Sequence, residues 1–151
     1  LEGRSKIFHL KDGRLIRMGS EPDVAFYKSN KIELALEIKG GIDTAGALER
    51  FGAALKSLRR AKQENPEAIT ILLMHEASIT ATANGEIEGS NDIDHLFTIG
   101  DMISSDDKRS QLFGILKICS RLTSRPGAFL FTGVTVAARK GTRKMRVSLS
   151  C

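Results

Sequence analysis

Short alternating runs of apolar and polar residues fill the first forty positions of the chain. Ser5–Leu10 and Arg14–Met18 are predicted strands on either side of Lys11-Asp12-Gly13, where an Asp-Gly step favours a hairpin turn. Asp23–Tyr27 and Ile32–Lys39 are the next two strands, joined by the tight connection Lys28-Ser29-Asn30-Lys31. In the last of these Ile32, Leu34, Leu36 and Ile38 alternate with Glu33, Ala35, Glu37 and Lys39. A period of two assigns the aliphatics to one face and Glu37 with Lys39 to the other.

After Gly40-Gly41 the spacing changes. Leu48, Phe51, Leu55 and Leu58 recur at three and four residues, which predicts a helix capped by Asp43 or Thr44 and ended near Glu64 by Pro66. Its other face carries Glu49, Lys56, Arg59 and Arg60. Ala68–Met74 is apolar on both faces and belongs in the middle of a covered sheet. Residues 76–94 are polar and carry no clear period, whereas His95–Ile103 suggests a further strand. Ser104 with Asp107 makes a capping-box pattern for a helix over 105–123, with Leu112, Ile115, Leu116, Cys119 and Leu122 on its apolar side. Ala128–Ala138 and Lys144–Leu149 read as a closing hairpin about Gly141. The order β-β-β-α-β with further β and α elements predicts an α/β fold, a mixed sheet flanked by helices.

At 151 residues the chain suits one domain. With 41% hydrophobic and 27% charged residues it is globular in composition. Its longest apolar run falls far short of the ~20 residues of a membrane span. Two cysteines, Cys119 and Cys151, are too few for a disulfide framework or a four-ligand zinc site, so a cytoplasmic setting is expected. The chain begins at Leu1, which suggests a piece of a longer protein. Charge changes the picture more. Residues 1–63 carry a net +5, residues 64–103 a net −8 without a single basic residue, and residues 104–151 a net +8. Such separation suits a protein that turns one surface to a polyanion.

The hairpin register supplies the candidate chemistry. Pairing apolar face with apolar face sets Val24 opposite Leu36, Phe26 opposite Leu34 and Ala25 opposite Ala35. Asp23 then falls opposite Glu37, with Lys39 on the same face, and directly paired side chains lie about 4.5–5.5 Å apart at Cβ. Two carboxylates that close repel unless something compensates them. Mg²⁺ would, since it takes one or two carboxylates together with waters and a substrate phosphate, and it polarises phosphoryl oxygens. Lys39 beside it would either orient the metal-bound water or stabilise the charge growing on the pentacovalent phosphorus. The competing reading is a solvated surface cluster of salt bridges.

Pro22-Asp23 followed by Glu37-Ile38-Lys39 resembles the PD-(D/E)xK nuclease superfamily, with a strand–strand–helix–strand context like its shared core, over residues 5–75. The segment EIKGGIDTAGALERFGAALKSL further resembles type II restriction endonucleases of the XcyI-like group. The resemblance implies a restriction-endonuclease-like core, Asp23 and Glu37 as metal ligands, and Lys39 as the catalytic lysine. It also implies Mg²⁺ (with Mn²⁺ able to substitute) and in-line attack by a metal-associated water on duplex DNA, leaving 5′-phosphates. Two active sites in a homodimer would cut a palindromic site. One departure stands out. Such proteins usually have a core helix before the first strand, sometimes with another acidic residue, and residues 1–4 leave no room for it. An upstream segment is therefore expected.

Arg139, Lys140, Arg143, Lys144 and Arg146 would contact phosphates on a DNA-binding protein, or else form a solvated hairpin tip. Lys56, Arg59 and Arg60, on the helix after the site, could hold the backbone near the scissile phosphate or merely solubilise the helix. Glu21 reads as solvated, and Glu86, Glu88, Asp92, Asp94 and His95 as an acidic loop without EF-hand spacing. No histidine has a nucleophile at motif spacing, and GGIDTAG is not a phosphate-binding Walker loop. Two alternatives remain beside the restriction enzyme. One is a repair, junction-resolving or transposition nuclease, and the other a non-catalytic nucleic-acid-binding module.

Overall fold

The computed structural model describes residues 5–43 and 46–121. The expected closing hairpin and the cations Arg139, Lys140, Arg143, Lys144 and Arg146 lie outside them, as do the side chain of Cys119 and all of Leu122.

Four antiparallel strands open the fold, β1 (Lys6–His9), β2 (Leu15–Met18), β3 (Val24–Lys28) and β4 (Lys31–Lys39). The β1–β2 link turns at Gly13, whose φ of 83° is open to glycine without strain. Between β3 and β4 the turn is tighter, and both Ser29 and Asn30 take positive φ, 49° and 63°. That is the backbone of the hairpin turn whose twist matches paired strands. Helix α1 (Ala47–Glu64) then crosses back, so β5 (Ile69–Met74) pairs parallel to β4. After a 3₁₀ turn (Glu76–Ser78) and α2 (Ala81–Gly89), β6 (His95–Thr98) pairs parallel to β5. Helices α3 (Ile99–Ser104) and α4 (Asp106–Arg121) complete the described residues. The six strands lie in chain order, a mixed sheet flanked by helices.

Each face of the sheet has its own core. On one, Ala25, Ala35, Leu72 and Met74 meet Phe51, Ala54, Leu58 and Ala61 of α1 and Ile87 of α2. On the other, Phe26, Leu34, Leu36, Ile71 and Phe97 meet Leu112 of α4, with Met102, Ile115 and Leu116 packed around them. Small residues Ala47, Ala54 and Ala61 let α1 lie close to the strands. In β5 the one polar residue, Thr70, is buried, and its amide and hydroxyl both donate to Asp94 Oδ2, at 2.8 and 2.9 Å. No described helix is long and apolar enough to cross a membrane.

Several details depart from the sequence expectations. The β3–β4 ladder pairs Phe26 with Leu34 but Tyr27 with Ile32, so the strand bulges at Glu33. Ile32 therefore joins the α1 core, while Leu34 and Leu36 join the opposite one, and Ile38 is exposed. Leu48 is exposed as well, and Ala54 and Ala61 take its place in the buried stripe. Helix α1 starts at an N-cap of Gly46, whose amide donates to Asp43 Oδ2 at 3.2 Å, later than Asp43 or Thr44 would have placed it. His95–Ile103 divides into β6 and α3, because Thr98 Oγ1 accepts from the Asp101 amide at 2.9 Å and starts a helical turn. Ser105, not Ser104, caps α4, accepting from the Lys108 amide at 3.2 Å.

Candidate functional site

The β3–β4 ladder runs out at Val24 and Leu36, and side chains take over the bonding beyond it. Asp23 Oδ2 accepts from the Ile38 amide at 2.7 Å, and the Asp23 amide points to Glu37 Oε2 at 3.4 Å. Glu37 Oε1 lies 2.6 Å from Lys39 Nζ, which is 4.0 Å from Asp23 Oδ2. The register that pairs aliphatics has thus brought Asp23, Glu37 and Lys39 together at the end of the strand pair.

Their surroundings are unlike a solvated surface. Helix α1 covers this face, and Glu37 is only 1% exposed, against 30% for the Asp23 side chain and 20% for that of Lys39. Burying a carboxylate is costly unless it is paired and hydrogen-bonded. Glu37 has both kinds of partner, since Ser57 Oγ of α1 donates to its Oε2 at 2.9 Å. Asp23 and Lys39 form the open side of the centre.

The segment that leaves Lys39 is tied down. Ser78 Oγ donates to the Gly41 carbonyl at 2.6 Å, and Arg50 of α1 donates to the Asp43 carbonyl. A β-carbon at Gly41 would lie 2.8 Å from Arg50 Nε, so a larger residue there would have to displace this side chain. Just after β5, the His75 amide donates to the Lys39 carbonyl at 3.0 Å. The end of β4 is therefore fixed from both flanks.

No family model, curated protein or solved structure matches this chain.

The donor set decides what this centre could hold. Among the described residues no three His, Cys, Asp or Glu side chains gather as a metal site. What the centre offers is two carboxylates, the number Mg²⁺ commonly takes from a protein when water and phosphate complete its shell. Asp23 and Glu37 fit that pattern, and Lys39 adds a positive charge beside it.

Other candidates are dispersed. Arg60 lines a small cleft beside α1 with Arg17, Pro22, Tyr27 and Ser57, which also holds Glu21 and Glu64 and none of Asp23, Glu37 and Lys39. Arg17 Nη2 donates to the Tyr27 hydroxyl at 2.5 Å, and its guanidinium stands 4.8 Å over that ring. Burial pushes the Tyr27 hydroxyl above its ordinary value, and the Arg17 charge opposes that rise. Arg59 turns away and pairs with Asp92 at 2.9 Å, while Lys56 is exposed on the helix. The acidic loop expected over 86–95 is partly helix α2, which carries Glu86 and Glu88. Asp94 is structural, binding Thr70 and, at 2.6 Å, Lys62.

Ser57 carries no motif in the sequence. Its one signal is position, a hydroxyl on the same buried face as Ala54, Leu58 and Ala61. Arg50 and Ser78 give no signal, because their roles depend on a loop path that no period encodes.

Proposed function

We propose that this protein is a Mg²⁺-dependent endonuclease of the PD-(D/E)xK type, acting on duplex DNA in the manner of a type II restriction enzyme. The observation that carries the reading is the enclosure of Glu37 between Ser57 and Lys39, with Asp23 completing the open side. A solvated salt-bridge cluster would need no such burial. Further support comes from β3, β4, α1 and β5, which follow the strand–strand–helix–strand order of the restriction-endonuclease-like core.

In this reading Asp23 and Glu37 hold the metal and Lys39 faces the scissile phosphate. Bound there, Mg²⁺ would polarise a phosphoryl oxygen and make water a better nucleophile at neutral pH. Lys39 Nζ, held by Glu37 Oε1, stabilises negative charge developing on the phosphoryl oxygens. The Ile38 amide fixes the Asp23 carboxylate. A homodimer would supply one centre per strand.

The test is digestion of a long, sequenced duplex DNA with Mg²⁺, comparing the protein with Asp23→Ala and Lys39→Ala. Discrete fragments that vanish in both variants, with DNA binding retained by Lys39→Ala, are expected. A smear lost in both variants would keep the nuclease and remove its site specificity. Absence of cutting by a protein that binds DNA would overturn the catalytic reading.

A further inference from the structure

Ser57 occupies a position where stability alone favours another residue. It sits in the interior of α1, on the face that packs Ala54, Leu58 and Ala61 against the sheet, and is 5% exposed. Serine is a poorer helix former than alanine, and a buried hydroxyl must find a partner. The partner here is the carboxylate of Glu37, from a strand twenty residues earlier, at 2.9 Å.

That bond divides the two oxygens of Glu37. Oε2 is turned to the helix, where it accepts a hydrogen bond from the Ser57 hydroxyl and faces the Asp23 amide. Oε1 is turned the other way, to Lys39 Nζ and the side on which Asp23 Oδ2 lies. A carboxylate held by one oxygen cannot rotate freely about its last torsion. We propose that Ser57 is a positioning residue, which anchors Glu37 Oε2 and so fixes the direction of Oε1, the oxygen that Lys39 holds and that would serve a divalent cation together with Asp23. The inference rests on the nuclease reading of this centre. Ser57 itself does not touch the cation or the DNA. Mutating a partner that orients a metal-binding side chain typically costs about 10- to 100-fold in metal affinity or activity.

The experiment compares the protein with Ser57→Ala and Ser57→Thr, which keeps the hydroxyl. Mn²⁺ binding is followed by the signal of the free ion, and DNA cleavage is followed as a function of Mg²⁺ concentration. Ser57→Ala is expected to weaken Mn²⁺ binding and raise the half-saturating Mg²⁺ by about ten- to hundredfold, the range found for such outer partners. Its cleavage rate at saturating Mg²⁺ falls much less, and Ser57→Thr stays close to the unaltered protein. A purely structural serine would lower thermal stability and leave the metal dependence of the folded fraction unchanged, which would overturn the inference. Should Ser57→Ala not fold, Ser57→Cys keeps the volume with a far weaker donor, and an unaltered metal dependence there overturns it equally. If the unaltered protein neither binds Mn²⁺ nor cuts DNA, the nuclease reading itself falls, and the inference with it. If it does both and Ser57→Ala matches it, only the inference falls.

Discussion

A carboxylate as enclosed as that of Glu37 is tolerable only while its partners stay in place. Lys39→Met would remove the ammonium 2.6 Å away and leave the charge to Ser57 and one long amide contact. Breaking a buried pair from one side typically costs about 3–5 kcal/mol, and the partial exposure of Lys39 places this case at the lower end. Asp23→Asn does the reverse, since it removes one of two negative charges that share a single lysine. Both variants should lose Mg²⁺-dependent cleavage, but only Lys39→Met should melt at a clearly lower temperature. Calorimetry of the two side by side separates a centre kept for chemistry from one kept for the fold. An Asp23→Asn protein melting well below the unaltered one would make Asp23 a structural residue. His95 sets a second test. Burial lowers its pKa beneath the ordinary 6.5, Asp94 opposes that shift, and Lys62 adds to it. The unfolded chain then takes up a proton that the folded one refuses, so stability falls as pH drops below about 6.5. Urea unfolding at pH 7 and pH 5 should show this loss, and His95→Gln should reduce it.

Among elements, the β3–β4 hairpin bears most directly on the centre because it sets the register that brings Asp23 to Glu37. Its turn uses Ser29 at φ 49° and Asn30 at φ 63°, a region favourable to Asn and Gly and unfavourable to β-branched residues. Ser29→Val should therefore destabilise the protein by about 1–2 kcal/mol, while Ser29→Asn should leave it unchanged or slightly more stable, as read by urea midpoints. The register itself is legible in the sequence, because Val24, Phe26, Leu34 and Leu36 admit one pairing that keeps apolar residues together. The bulge at Glu33 is not, and with it goes the face of Ile32. Helix α2 has no periodic signature because Ala81–Gly89 has one large apolar residue, Ile87, and two glycines, so its start depends on the Thr80 hydroxyl accepting from the Ala83 amide. The segment after His95 is ambiguous for a different reason. Ile99 and Ile103 suit a strand, and only the cap at Thr98 turns them into a helix. Of the centre, Asp23, Glu37 and Lys39 follow from strand alternation, whereas Ser57 depends on where α1 lies on the sheet.

For the whole molecule, charge is the broadest property that bears on function. The net +8 of residues 104–151 and the net +5 of residues 1–63 enclose a stretch of net −8. Within the described residues part of that acidity is neutralised internally, by Arg59 with Asp92 and by Lys62 with Asp94. If the basic segments meet DNA phosphates, binding should weaken steeply with salt, the slope of log affinity against log salt counting the phosphates engaged. Neutralising Arg139, Lys140, Arg143, Lys144 and Arg146 together should flatten that slope by several units, and an unaltered slope would exclude them from the interface.

Asp23, Glu37, Lys39 and Ser57 all belong to a single stretch of sequence, from the residue before β3 to the middle of α1. The antiparallel pairing within it closes only short loops, whereas β6 must find β5 across the intervening 3₁₀ turn and α2. Short loops close at little entropic cost and early. The strand pair that sets Asp23 against Glu37 can thus form before β6 is added to the sheet.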